Sequence, residues 1–448
     1  MNEEINTTNL LAKEYSFIGL LKFTFPSMIM MVIMGLYTIV DTIFVSNLVN
    51  TDALSAINIV CPVINIIVGV GAMLSTGGSA IIARKMGEGK NKEARQNFTL
   101  IIIVGILLGV VITCLGILFL DSILWGLRAS EVLYPYCKDY LLILLLFIPA
   151  SMLQMLFQNL IVTAGRPAFG MILSIGAGAA NIALDYLFMV PLNMGIRGSA
   201  LGTGIGYLIP AVIGLYFFTR NKEGLHFEKP QLDGKLLLES CLNGSSEMVS
   251  QAAAAVTTFL FNSIMMRLLG ENGVAAITII IYTQFLLTTL YIGFSMGAAP
   301  MISYNYGSQN HDQLKRMVKM CLSFILGTSV LVFIFAQFFT SGLVGLFSDQ
   351  ASIVYLYARH GFSIFSYSFL FCGLNIYSSA LFTALSNGKI SAVISFLRTF
   401  GLITAALLIL PALIGVNGVW LAVPLAEGVT MLLAGGLLLG YRKRYHYL

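Results

Sequence analysis

Five ionisable side chains stand inside long apolar runs of this 448-residue sequence: Asp41, Asp185, Glu247, Arg398 and Glu427. A charge in hydrocarbon costs several kcal/mol or so unless it is paired, protonated or hydrated. Each therefore marks either a structural ion pair or a place where ions are handled. Asp41 and Asp185 carry the clearest pattern. Tyr37 stands four residues before Asp41 and Asn181 four before Asp185, so on helices each shares a face with its acid. With Thr203 at a similar predicted depth, the group offers two carboxylates, an amide oxygen and hydroxyls without a nearby cation. Oxygen ligands of this kind suit a hard cation such as sodium, while desolvation and mutual repulsion of the carboxyls suit a proton carrier. The residues leave both ions open.

The other charges read differently. On antiparallel neighbouring helices Arg398 and Glu427 differ in depth by roughly 6 Å at 1.5 Å per residue, near enough to form a structural clamp. Glu247 follows Asn243, Gly244, Ser245 and Ser246, which resemble a helix start or a break, and a carboxylate there complements a helix N-terminus. A substrate cavity is expected to draw on Glu247, Gln251, Gln284 and Asn375, among the 20 methionines and 30 phenylalanines that accept varied apolar cations by packing and cation–π contact. Most of those methionines and aromatics serve the core or face lipid. No GxxxxGK[ST] loop appears, so no ATP-driven motor is expected. Energy is then expected from an ion gradient, where 100 mV is worth about 2.3 kcal/mol per charge.

The elements that position these residues follow from composition. Hydrophobic residues make up 58% of the chain and charged residues 10%, against roughly a quarter charged in a soluble domain. Uncharged stretches such as 53–83, 96–120, 140–165 and 320–348 exceed the roughly 20 residues that cross a bilayer and lack the alternation of a barrel strand. The fold class is thus an all-α polytopic membrane protein. Twelve transmembrane helices are predicted at about 17–45, 53–83, 97–120, 138–163, 168–190, 199–219, 241–266, 273–304, 320–346, 353–384, 390–410 and 419–440. With the N-terminus inside, 19 Lys and Arg fall on the cytoplasmic side and 5 outside, which predicts both termini in the cytoplasm of a multi-pass inner-membrane protein. The polar, acidic stretch 1–13 does not read as a cleaved signal, and six dispersed cysteines read as small core residues.

An offset of 220 aligns Gly77 with Gly297, Gly87 with Gly307, Pro191 with Pro411, Gly195 with Gly415 and Gly198 with Gly418. One constant offset over that range means duplication. Two pseudo-symmetric six-helix bundles are expected: an N-lobe over 1–219, a cytoplasmic linker over 220–239 and a C-lobe over 240–448, related by an axis along the membrane normal. Pro26 and Pro62 lie inside predicted helices, and a bend at Pro26 would make helix one a moving part.

Several segments resemble the multidrug and toxic compound extrusion (MATE) family of the flippase superfamily. They are Pro26 with Tyr37–Val45 (YTIVDTIFV), the Gly-Ser-Ala run with Ala83–Gly87 (ARKMG), Ala164–Pro167 (AGRP), the Asn181 and Asp185 pair, and Gly195–Ala200 (GIRGSA). The resemblance spans the whole chain. It implies a cation or proton site at Asp41, Tyr37, Asn181, Asp185 and Thr203, a hinge at Pro26, and antiport that exports organic cations as a monomer, driven by H+ or Na+ with no other cofactor and no nucleic acid. Glu247 matches an acid on helix seven of some members; where some carry an acid on helix ten this chain has Cys372, which shifts the expected coupling site to the N-lobe. A lipid-linked oligosaccharide flippase needs a cavity lined with arginine, yet only Arg398 is deep. An intramembrane enzyme needs a deep nucleophile and base, and no histidine lies deep enough.

Overall fold

The computed structural model describes residues 10–448, save the side chains of residues 43, 46, 47 and 51; the reading of the N-terminal stretch falls partly on residues outside this range. Twelve spanning helices run through it. They are α1 (Phe17–Leu48), α2 (Thr51–Gly87), α3 (Asn91–Leu118), α4 (Tyr134–Leu146 continued by Ile148–Thr163), α5 (Pro167–Met189) and α6 (Ile196–Arg220). A helical stretch Gly234–Gly307 follows, broken only at Gly270, whose φ of 65° and ψ of −153° divide it into α7 and α8. The remainder are α9 (His311–Phe338), α10 (Ile353–Phe365 to Phe369–Ala384), α11 (Gly388–Phe396 to Leu402–Ile414) and α12 (Val416–Tyr445). Large apolar side chains on the outer surface, Phe338 at 83% and Leu432 at 71% exposure among them, would be costly in water and are satisfied by lipid tails.

Three departures from the sequence expectation have local causes. α4 starts at Tyr134 and bends by 56° at Phe147, where Pro149 lacks the N–H that would continue the ladder. At the repeat-related position α10 passes through a 3-10 turn over Ser366–Ser368 without a bend of that size. α7 begins at Gly234, capped by the Asp233 side chain, so the run Asn243 to Ser246 is neither a helix start nor a break. Glu247 accordingly lies mid-helix and has no helix N-terminus to complement. α1 passes through Pro26 as one continuous helix, the proline buried.

The two halves meet along a seam of α1 against α8 and α2 against α7, and the seam is made of backbone. A Cβ on Gly77 would overlap the Ser240 carbonyl oxygen, and one on Gly244 the Met73 carbonyl oxygen. At the end of the bundle that carries both chain termini, Gly87 faces the Tyr304 carbonyl while Gly307 faces the Arg84 carbonyl. Those two contacts exchange under the 220-residue offset. Arg84 Nη2 then crosses the seam to Glu239 Oε1 at 3.0 Å. Only glycine permits this approach, which helices in lipid use for close van der Waals packing. Gly77→Ala is expected to destabilise the seam by about 1–3 kcal/mol. The thermal unfolding midpoint of the purified protein should fall, while Gly435→Ala, whose added methyl meets nothing within 4 Å, should leave it in place.

Candidate functional site

Three helices of the first half each present two polar residues four positions apart on one face: Tyr37 and Asp41 on α1, Asn181 and Asp185 on α5, Ser199 and Thr203 on α6. They converge. The Asp41 and Asp185 carboxyls lie within hydrogen-bonding reach of each other. Ser199 Oγ donates to Asp41 Oδ1 at 3.3 Å. Asp185 is fully buried and Asn181 nearly so. Both Asp185 oxygens, Asn181 Oδ1 and Thr203 Oγ1 are buried without a hydrogen-bond donor. With both acids ionised neither can donate to the other, so these oxygens find no donor among the described residues.

Glycines make room for these side chains. A Cβ on Gly202 would land on Asp185 Oδ1, one on Gly206 would sit 3.3 Å from Asn181 Cβ, and one on Gly178 would sit 3.2 Å from Tyr37 Cδ1. Beside the acids lies a small cavity of about 30 Å³ within the first six helices, lined in part by Tyr37, Gln154, Asn181, Thr203 and Tyr207. Tyr37 is hydrogen-bonded to Gln154 of α4. The chamber is partly open and mostly apolar, with room for about one water molecule beside its few polar groups.

All five residues expected at the ion site are brought together. Those expected at a substrate cavity are not, and none of the four lines the N-lobe chamber. Asn375 is fully buried, its Nδ2 donating to Glu427 Oε2 at 2.7 Å and to the Glu427 carbonyl at 2.9 Å, which corrects its assignment to a cavity wall. Gln251 packs at the seam against Gly69 of α2. Gln284 is half-buried on α8, and Glu247 is half-buried on α7 with Arg398 as its charged neighbour. Arg398 and Glu427 do form the expected clamp, Nε to Oε1 at 3.6 Å. Sequence reading missed Ser199, Gln154 and Tyr207. The signal for Ser199 was available, four residues before Thr203 inside the GIRGSA segment; Gln154 and Tyr207 carried none. The Gly202 and Gly206 spacing was visible as a helix-packing motif, but not its use as space for Asp185 and Asn181.

The MatE family profile matches the chain twice, over residues 26–187 and 248–408. The chain belongs to the MatE family. It is therefore a multi-pass membrane transporter and not an enzyme. MatE relatives include the multidrug export protein MepA of Staphylococcus haemolyticus, 25% identical over 430 residues covering 96% of this chain and 94% of that one. MepA of Staphylococcus aureus is 24% identical over 422 residues, covering 93% and 92%. Among solved MatE folds, an outward-facing multidrug resistance MATE transporter of the MOP superfamily superposes with a TM-score of 0.91 at 20% identity, covering 98% of each chain. A MATE transporter in complex with MaL6 gives 0.90 at 21% identity, covering 95% of each. These establish the shared two-lobe fold. Within it, the Asn375 amide is the donor that holds Glu427. Asn375→Ala is expected to cost about 1.5–3 kcal/mol, the range for a hydrogen bond to a charged group. The check is the thermal unfolding midpoint, which should fall further than for Gln251→Ala.

Proposed function

We propose that this protein is a multidrug exporter that couples outward movement of organic, mainly cationic compounds to inward movement of H+ or Na+ at the Asp41 and Asp185 pair. The observation that carries the reading is a carboxyl pair, one member fully buried, with four orphaned oxygens around it and no side-chain cation beside it among the described residues. An ion supplies the missing charge. The names of the MepA relatives supply the cargo class. In this reading the protein works as a monomer in the plasma membrane with both termini in the cytoplasm, so the seam closes the cytoplasmic side and the drug leaves outward.

Coupling needs the ion to bind one state better than the other. The acids sit on α1 and α5, with Ser199 of α6 bonded to Asp41, and α1 also packs against α8 of the other lobe, so a change of charge at Asp41 bears directly on the seam. Pro26, lacking one backbone bond, is the place where α1 yields at least cost. Lipid-linked pyrophosphate is a poorer cargo, because the one deep arginine is already held by Glu427.

Uptake of a fluorescent cationic drug into inverted vesicles, under separately imposed H+ and Na+ gradients, tests the proposal. Asp41→Asn and Asp185→Asn should each reduce gradient-driven uptake to the vesicle background, with membrane insertion unchanged. Gly202→Ala should do the same with both acids intact, since its methyl takes the place of Asp185 Oδ1. Normal export by both Asn variants would reject the site.

A further inference from the structure

The internal repeat allows each lobe to be read against the other. At the 220-residue offset, two lining residues of the N-lobe chamber, Gly178 and Tyr207, correspond to Arg398 and Glu427. Where the first lobe keeps space beside its acids, the second thus carries a guanidinium and a carboxylate in contact. The oxygens around them resemble those of the first lobe. Glu427 is 3% exposed and held by Asn375. Asn375 Oδ1 is buried with no hydrogen-bond partner, as Asn181 Oδ1 is in the N-lobe. Glu247 adds a second carboxylate, with Arg398 as its charged neighbour and no ion pair of its own among the described residues. Arg398 itself sits in a π-helical turn, Leu397–Gly401, of the kind that redirects a side chain at functional positions.

We propose that Arg398 is a tethered counter-ion: its guanidinium fills, in the C-lobe, a latent monovalent-cation site made by Glu427, Glu247 and Asn375. The inference rests on reading Asp41 and Asp185 as the exchangeable ion site. Arginine cannot be deprotonated in a protein, so this charge never leaves. One lobe then exchanges an ion and the other holds a permanent one, and the transporter takes up cation only in its N-lobe. Removing the guanidinium uncovers two carboxylates in a low-dielectric setting, which is strongly unfavourable until a small cation replaces it.

The test counts cation equivalents bound per protein in lipid nanodiscs, by proton titration and by binding of radioactive sodium. Arg398→Met should gain one equivalent over wild type, as H+ or as Na+. The gain should persist when Asp41→Asn and Asp185→Asn are added, and vanish in Arg398→Met with Glu427→Gln. Arg398→Lys should match wild type. In the otherwise wild-type protein, Glu427→Gln should leave the count unchanged. A folded Arg398→Met protein with no added equivalent overturns the proposal. So does a loss of one equivalent in Glu427→Gln, a measurement that decides the matter even if Arg398→Met cannot be purified. Failure of the N-lobe reading has a separate signature: Asp41→Asn with Asp185→Asn would retain the full wild-type count.

Discussion

Two carboxyl groups that meet inside an apolar bundle require a positive charge between them. Water would normally screen their repulsion, but Asp185 is cut off from solvent and Asp41 is half-buried against it. Much of the first lobe is arranged around that requirement. α6 approaches α5 through Gly202 and Gly206, leaving the space that Asp185 and Asn181 occupy, and Ser199 turns its hydroxyl to Asp41. The protein's own donors stop short of neutralising the pair. That shortfall distinguishes the pair from a structural clamp such as Arg398 with Glu427, where the neutralising group is built into the chain.

The two lobes therefore share a plan and divide its chemistry. Both interrupt their fourth helix, by a bend at Phe147 and by a 3-10 turn at Ser366–Ser368, and both leave the fifth through a left-handed glycine, Gly195 with φ 57° and Gly415 with φ 62°. Only the first lobe pairs an acid on its first helix with one on its fifth; the second has Glu247 on its first helix and no acid on its fifth. The duplicated backbone fixes where side chains can stand, and equivalent positions carry Gly178 and Tyr207 in one lobe and the Arg398–Glu427 pair in the other. Between them the seam contacts at Gly77, Gly87, Gly244 and Gly307 are backbone to backbone, so at those points the interface has little side-chain freedom with which to accommodate partial opening.

Much of this was legible in the sequence because lipid imposes simple rules. Spans of the right length, the excess of basic residues on one set of loops and the constant offset of the repeat all report backbone-level constraints, and the twelve helices follow from them. The acids were legible for the same reason: in hydrocarbon an unpaired carboxyl stands out against 58% hydrophobic residues. Turn chemistry inside polar-looking helical stretches was less so. Asn243 to Ser246 looked like an interruption, yet Asn243 donates to the Thr383 carbonyl and Gly244 meets α2, so tertiary contacts hold the helix through a run of weak helix formers. Asn375 misled in the opposite way. A polar residue on a spanning helix can face a cavity or satisfy a neighbour, and only the position of Glu427 decides between them.

The seam glycines have a consequence for how such a chain came about. Gly87 facing the Tyr304 carbonyl and Gly307 facing the Arg84 carbonyl are one contact used twice about a two-fold axis, the self-complementary geometry of a homodimer. Two unlinked copies of a six-helix ancestor would meet through that same patch. The coil from 221 to 233 thus joins surfaces already suited to each other, and fusion chiefly freed each copy to drift from its twin.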